Sequence, residues 1–391
     1  MRHLFLAATG QNRGKTTASL GLIDGFRRRG YHTGFMKPVG QRTVIDGGEP
    51  ADEDSVLMKA VFGLPEPYAV MSPVHIPRGF TKAYIAGRVV EDLGARIRAA
   101  HSTFAGHDIL LVEGTGHAGV GAVIGLSNAT VASMLRSPAV IVSEGGVGRP
   151  IDEIVLNASH FEAHGVPVAG AIVNKVRVDE QPGIEKTLRR GLALHGIPLL
   201  GVLPYRPILS NPTLGMILEG VGGRVICEGP DLDRVIEGVA IGAMEPRHML
   251  QRVGPGTLVI VPGDREDAIL TVAAAHVGDG AEASHALEHL GPLVEATPGA
   301  VIDAALDGRA LGLVLTGGYE PRQAVIHAIQ TAGMFAAIVP EDTYTVASEV
   351  HDLLVKTHAA DLEKIELIKE LVWEHLHMDR FLEVATEARF D

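Results

Sequence analysis

Cysteine is nearly missing from this 391-residue chain. Cys227 is the only one, which excludes a disulfide framework and cysteine-rich zinc sites and fits a reducing cytoplasm. Positive charge is also scarce. Lys and Arg number 34 against 47 Asp and Glu, a formal net charge of −13, and that balance argues against a general nucleic-acid binder or an anionic-membrane binder. No apolar run approaches the ~18 residues that would span a bilayer, and the stretch behind Met1-Arg2-His3 is too short for a secretory signal. The mean hydropathy of +0.19 therefore reads as buried parallel strands. The expectation is a cytoplasmic protein that binds neither nucleic acid nor membrane. Glycine, by contrast, is plentiful at 47 residues, which suits an α/β fold with many tight turns, and the length suits two domains.

Short apolar runs alternate with amphipathic stretches. The pattern predicts strands over 3–8, 33–37, 108–113, 139–143, 168–173 and 199–203, with helices near 15–29, 52–62, 80–100, 128–136, 151–164 and 183–195. Such alternation implies a mostly parallel sheet covered by helices, with ligands bound at the carboxyl ends of the strands. The proline-rich stretch 204–215 marks a domain boundary or a late loop, and a second α/β series follows it. The expected second series has strands at 224–227, 257–261, 311–315 and 335–339 and helices at 245–253, 266–276 and 321–332. In the tail, 360–385, Ile365, Ile368, Leu371 and Val372 stand at helical spacing, which predicts a helix packed on the second domain.

The richest segment is the first. Leu4–Ala8 reads as a buried strand, and the chain then runs through Gly10, Gln11, Asn12, Arg13 and Gly14 into Lys15, Thr16, Thr17 and a helix. That is the strand–loop–helix context of a phosphate-binding loop, although Thr9 stands where the strict motif has its first glycine. Backbone N–H groups and the helix dipole would face a polyphosphate, Lys15 would reach its outer phosphates, and the Thr16 hydroxyl would ligate magnesium. Four other positions lie at strand ends or helix starts. Lys37 precedes Pro38 at the end of the second strand. In the acidic cluster Ala51–Ser55, one carboxylate either reaches a metal or the cluster caps a helix. Glu113 ends a buried strand, as a second metal ligand would. Asn174 either reads an adenine edge or occupies a turn. His117 reads as a polar loop residue, and Cys227, without the glycines of a nucleophile elbow, as a core residue.

With Ala8-Thr9-Gly10-Gln11-Asn12-Arg13-Gly14-Lys15-Thr16, Lys37-Pro38-Val39, Asp54, Val112-Glu113-Gly114 and Asn174 in place, the first ~210 residues resemble the dethiobiotin synthetase-like branch of P-loop proteins, which includes cobyrinic acid synthase-type domains. The resemblance implies that Lys15 and Thr16 serve phosphate and Mg2+, that Asp54 and Glu113 complete the metal site, that Lys37 faces substrate and the γ-phosphate, and that Asn174 contacts the adenine of ATP. It also implies a homodimer. Gly10 occupies the place of the signature lysine of partitioning-type ATPases, which separates the chain from them. Residues 215–340 resemble a DRTGG domain through Val261–Arg265 and Leu315–Gly318, which implies a regulatory module. The pairing is similar to the amino-terminal portion of long bacterial phosphate acetyltransferases without the acetyltransferase domain.

These observations predict an α/β P-loop domain at 1–210, a smaller α/β DRTGG-like domain at 215–340 and a helical extension at 341–391. Three functions remain open. One is a Mg-ATP-binding regulatory protein with slow hydrolysis and a protein partner. Another is an ATP-dependent ligase that phosphorylates a carboxylate or carbamate, with Lys37, Arg78 and Gly114–Val120 holding an anionic substrate; the segment after Lys37 lacks the serine of a true dethiobiotin synthetase. The third is a ligand sensor working through the Gly263–Arg265 and Thr316–Gly318 turns, which otherwise serve only as tight connections.

Overall fold

The computed structural model describes residues 1–177, 182–229, 232–277, 291–298, 310–353 and 355–387. The chain forms two compact units, Met1–Arg206 with Thr357–Asp391, and Pro207–Lys356.

The first unit is built on a sheet of six parallel strands: β1 (Arg2–Ala8), β2 (Thr33–Met36), β7 (Ile109–Glu113), β8 (Ala139–Glu144), β9 (Val168–Val176) and β10 (Leu199–Pro204). Their spatial order is β10-β9-β8-β1-β7-β2. The chain moves from β1 towards β2 and β7 on one side and later to β8 on the other. The carboxyl end of β1 is therefore a topological switch point, where open parallel sheets bind ligands. Every residue of β7 is buried, because helices cover both faces. Between β2 and β7 lie short elements the periodicity did not announce: a parallel pair, β3 (Val39–Gly40) with β6 (Val74–His75), and a hairpin of β4 (Thr43–Asp46) with β5 (Glu49–Asp52). The helix expected over 80–100 is two helices, Phe80–Ile85 and Leu93–Ser102. Gly87 sits at φ 68°, and the Asp92 carboxylate caps the second helix by accepting from the Ala95 N–H at 2.8 Å.

The second unit has the sheet order β11-β15-β14-β13-β12, comprising β11 (Arg224–Cys227), β12 (Gly238–Ile241), β13 (Thr257–Pro262), β14 (Ala310–Thr316) and β15 (Phe335–Ile338). Within this sheet only the β11–β15 pairing is antiparallel among the described strands. Alternate residues serve opposite faces. Leu258 and Ile260 join one apolar cluster, while Val259 and Val261 join the other. Cys227 is half-buried at the margin of the second cluster rather than inside it.

The tail departs from expectation. Thr343–Asp352 is a helix of the second unit, whereas Leu362–His375 and Met378–Glu387 belong to the first. The apolar face of Ile365, Ile368, Leu371 and Val372 is buried. The helix that carries it packs on Lys15–Arg28 and β10 and so belongs to the first unit, where the sequence had suggested the second domain. The reason is shape. Gly21 and Gly25 notch the helix Lys15–Arg28 so deeply that a Cβ at Gly21 would lie 2.3 Å from Val372, and one at Gly25 would lie 2.5 Å from Met378. Glycine spacing on the receiving helix thus chose the docking partner.

Candidate functional site

The loop after β1 leaves the sheet at its switch point. The Ala8 N–H donates to the Gly116 carbonyl at 3.1 Å and the Thr9 N–H to the Val142 carbonyl at 2.9 Å, so the loop starts between β7 and β8. It turns into helix Lys15–Arg28 through Gly14, at φ 90° in the left-handed region. A Cβ there would also meet the Asn174 amide nitrogen at 1.9 Å. Both facts require glycine. Gly14→Ala is therefore expected to cost about 1–3 kcal/mol of stability from backbone strain alone and to weaken nucleotide binding; thermal unfolding with a parallel ATP titration checks both.

Asn174, Lys175 and two carboxylates, Glu144 and Glu153, hold the loop from one side. The Asn174 amide donates to the Arg13 carbonyl at 3.2 Å and its oxygen accepts from the Lys175 N–H at 2.8 Å. Asn174 therefore braces the phosphate loop in this structure, with one amide hydrogen left over for other work. The Lys175 ammonium donates to the Asn12 carbonyl at 2.9 Å and lies 3.3 Å from Glu144. Arg13 pairs with Glu144, and the Thr9 hydroxyl donates to Glu153 at 2.9 Å. Gln11 and Asn12 are exposed at the crest, and Gly10, Arg13 and Thr17 are half-buried.

Beneath the loop lies a buried charge cluster. The Lys37 ammonium pairs with Asp54, sits 3.0 Å from Glu113 and lies 3.7 Å from Asp52. Burial alone would lower the Lys37 pKa, but Asp54, Glu113 and Asp52 outweigh it and hold the ammonium well above its ordinary value. Burial also works against Asp54, yet Lys37 and the Thr16 hydroxyl pull its carboxyl down to about 2. Burial wins at Glu113 and Asp52, both shifted upward despite Lys37. Lys15 is lowered to about 8, first by burial and then by Lys37, against the attraction of Glu113. Two ammonium groups thus face three carboxylates, leaving room for added positive charge.

The Thr16 hydroxyl lies 3.0 Å from Asp54 and 3.4 Å from Glu113. These three hard oxygens fit Mg2+, which takes one or two carboxylates and completes its shell with phosphate and water. Among the described residues no group of three or more His, Cys, Asp and Glu could hold a metal by itself. The Ser19 hydroxyl donates to the other Glu113 oxygen at 2.6 Å and orients it.

Lys15, Thr16, Lys37, Asp54, Glu113 and Asn174 therefore lie around one loop. Ser19, Glu144, Glu153 and Lys175 had escaped notice, and Asp52 was read only as one carboxylate of the cluster Ala51–Ser55. Ser19 stands one helical turn after Lys15, and Glu144 ends a buried strand much as Glu113 does, so both carried a usable signal. His117 is exposed, and its ring nitrogen accepts from the Gly119 N–H at 3.2 Å. In the second unit, the turns at Gly263 and Thr316 pack on each other. The Gly263 N–H donates to the Thr316 carbonyl at 3.0 Å, and a Cβ on Gly263 would lie 2.0 Å from the Tyr319 carbonyl. Arg265 is bonded to Asp267 and the Met244 carbonyl.

Among the described residues no helix is long and apolar enough to cross a membrane. An AAA domain model matches residues 2–213, and a DRTGG domain model matches residues 216–353. A phosphate acetyltransferase of Pseudomonas putida is 30% identical over 96% of this chain and 51% of its own. The chain thus spans about half the length of that relative. The ATP-dependent dethiobiotin synthetase of Anaeromyxobacter dehalogenans is 27% identical over 56% of this chain and 97% of its own. Among solved structures, the MinD cell division protein of Aquifex aeolicus is 13% identical, with 54% of this chain and 84% of that one covered at a TM-score of 0.34. The chain belongs to the family of that AAA domain, a P-loop module, and carries a DRTGG domain behind it.

Proposed function

We propose that the protein binds Mg-ATP at the phosphate loop and acts as a nucleotide-dependent regulator with slow hydrolysis. The observation that carries this reading is the convergence of Lys15, Thr16, Asp54 and Glu113 under a loop at the sheet's switch point. Lys15 would compensate the β/γ-phosphate charge, and Thr16, Asp54 and Glu113 would hold the metal. When bound, Mg2+ would neutralise phosphate charge. The ATP dependence of the dethiobiotin synthetase relative supports ATP as the nucleotide. Slow hydrolysis follows from the state of the site's carboxylates. Asp54, pulled down to about 2 beside Lys37, is a poor base for activating water, and Glu113 would be occupied by the metal. The DRTGG domain supplies the regulatory part of the reading.

Calorimetric titration with Mg-ATP, run beside a phosphate-release assay, tests this. Saturable binding with turnover far below the ~10 s⁻¹ of a median enzyme is expected. Absence of binding would sink the reading. Strong stimulation of phosphate release by one member of a carboxylate and diamine panel would replace it with the ATP-dependent ligase that the dethiobiotin synthetase match also supports. A sharper check uses Glu113→Gln, which keeps shape but removes a metal charge. Its Mg2+ requirement should rise by about tenfold while metal-free nucleotide binding changes less; equal losses in both would remove Glu113 from the metal site.

A further inference from the structure

His160 and His164 stand one turn apart at the carboxyl end of helix Gly148–Glu162, with their ring centroids 4.6 Å apart. The His164 Nδ1 donates to the His160 carbonyl at 2.9 Å. A carbonyl can only accept, so the proton sits on Nδ1 and the Nε2 lone pair of His164 is free. A backbone carbonyl on the far nitrogen is a common means of orienting a metal-binding imidazole. The His160 Nε2 is buried and has no hydrogen-bond partner among the described residues. It faces Gly119, where a Cβ would lie 3.9 Å from it, so the missing side chain leaves a hollow beside that nitrogen. His117 is close by, but its Nδ1 accepts from the Gly119 N–H. That bond places the neutral ring's proton on Nε2 and keeps His117 out of the ligand set.

We propose that His160 and His164 form a two-histidine site for a transition-metal ion of the zinc class, each ligating through Nε2, with water completing the shell. Neutral imidazole nitrogens suit Zn2+, Cu2+ and Ni2+, whereas Mg2+ prefers hard oxygens. The rings are already neighbours, so rotation about their side-chain torsions is enough to turn both nitrogens onto one ion. An ion there would give the buried His160 nitrogen the partner it lacks. Its charge would lie at the negative end of a 15-residue helix, where cations are favoured. The His3–His101 pair offers a contrast. Its rings are 4.9 Å apart, but the chain's own amino terminus opposes added positive charge at His3. The two-histidine site shares no residue with the nucleotide reading and does not depend on it.

The test titrates the metal-free full chain with Zn2+ by calorimetry in excess Mg2+, which competes for carboxylate oxygens but not for imidazole. Electron paramagnetic resonance of the Cu2+-loaded parent counts the coordinated nitrogens. Saturable binding of one equivalent of Zn2+ is expected, together with a two-nitrogen pattern on Cu2+. His160→Gln and His164→Gln should each weaken Zn2+ binding by about tenfold or more and remove that pattern. His101→Gln should bind as the parent does. Thermal unfolding without metal verifies that all three variants fold, and the resonance of the parent decides the matter without them. No saturable Zn2+ binding, a parent spectrum without two nitrogens, undiminished binding in His160→Gln or His164→Gln, or a loss in His101→Gln would each overturn the proposal.

Discussion

Lys15→Ala is expected to lower the affinity for Mg-ATP on the order of 100-fold, the loss of one or two charge-assisted hydrogen bonds in a site shielded from water. Lys15 is buried at the start of the helix behind the loop, so no solvent cation can take its place. Its neighbours Lys37 and Arg42 cannot substitute either. Lys37 is held by three carboxylates and Arg42 faces Glu53. The depressed pKa adds a second readout. Only the protonated amine compensates phosphate charge, and in the free site it loses its proton as the pH rises through about 8. Below that value the charge is already present and binding takes up no proton at Lys15. Near and above it, a bound polyphosphate draws the proton back, so binding must take up protons and affinity must decline with rising pH. Calorimetry near pH 8 in two buffers of different ionisation heat measures the uptake. Unchanged affinity in Lys15→Ala would mean that the loop does not hold the phosphates, and proton uptake that persists in the variant would move the titrating group elsewhere.

Ending the chain at Lys356 is expected to unfold the nucleotide domain, even though the domain's sheet and phosphate loop all lie before residue 207. The removed segment contributes the buried side chains Ile365, Ile368, Leu371, Val372, Leu376, Met378 and Phe381. At about 1.5–3 kcal/mol for each fully buried large side chain, their loss equals or exceeds a whole domain stability of roughly 5–15 kcal/mol. The ion pairs of Arg28 with Glu370 and Arg29 with Asp379 lie at the surface and contribute little by comparison. Urea denaturation of the truncated chain tests the claim, and a cooperative transition of parental midpoint would refute it. Two point variants keep the test open should the truncated chain be insoluble. Leu371→Ala should cost about 2–5 kcal/mol through the cavity it leaves. Gly21→Ala, although it improves helix propensity, should destabilise, because its new methyl group meets Val372. Combining it with Val372→Ala should recover part of the loss, an interaction that a remote effect of Gly21 would not show.

The sequence by itself determined the layered α/β class, the phosphate loop and the residues at strand ends. These follow from local physics: period, strand length and the chemistry of glycine, lysine and threonine at one turn. Lys15, Thr16, Lys37 and Glu113 were legible because each sits where a parallel strand or its following helix begins or ends, whereas Asp54 stood out from its acidic cluster only through the family resemblance. Tertiary structure decided what those residues meet. That Lys37 lies among Asp52, Asp54 and Glu113 depends on β7 pairing beside β1 and β2, a register that residues some 75 positions apart cannot declare. The bracing of the loop by Asn174, Lys175 and Glu144 likewise waits on β8 and β9 arriving on the other side of β1. The tail shows the same limit most plainly. Its apolar stripe announced a buried helix but not a partner, since hydrophobic burial has no direction of its own. The partner was set by steric fit to Gly21 and Gly25, more than 340 residues earlier in the chain.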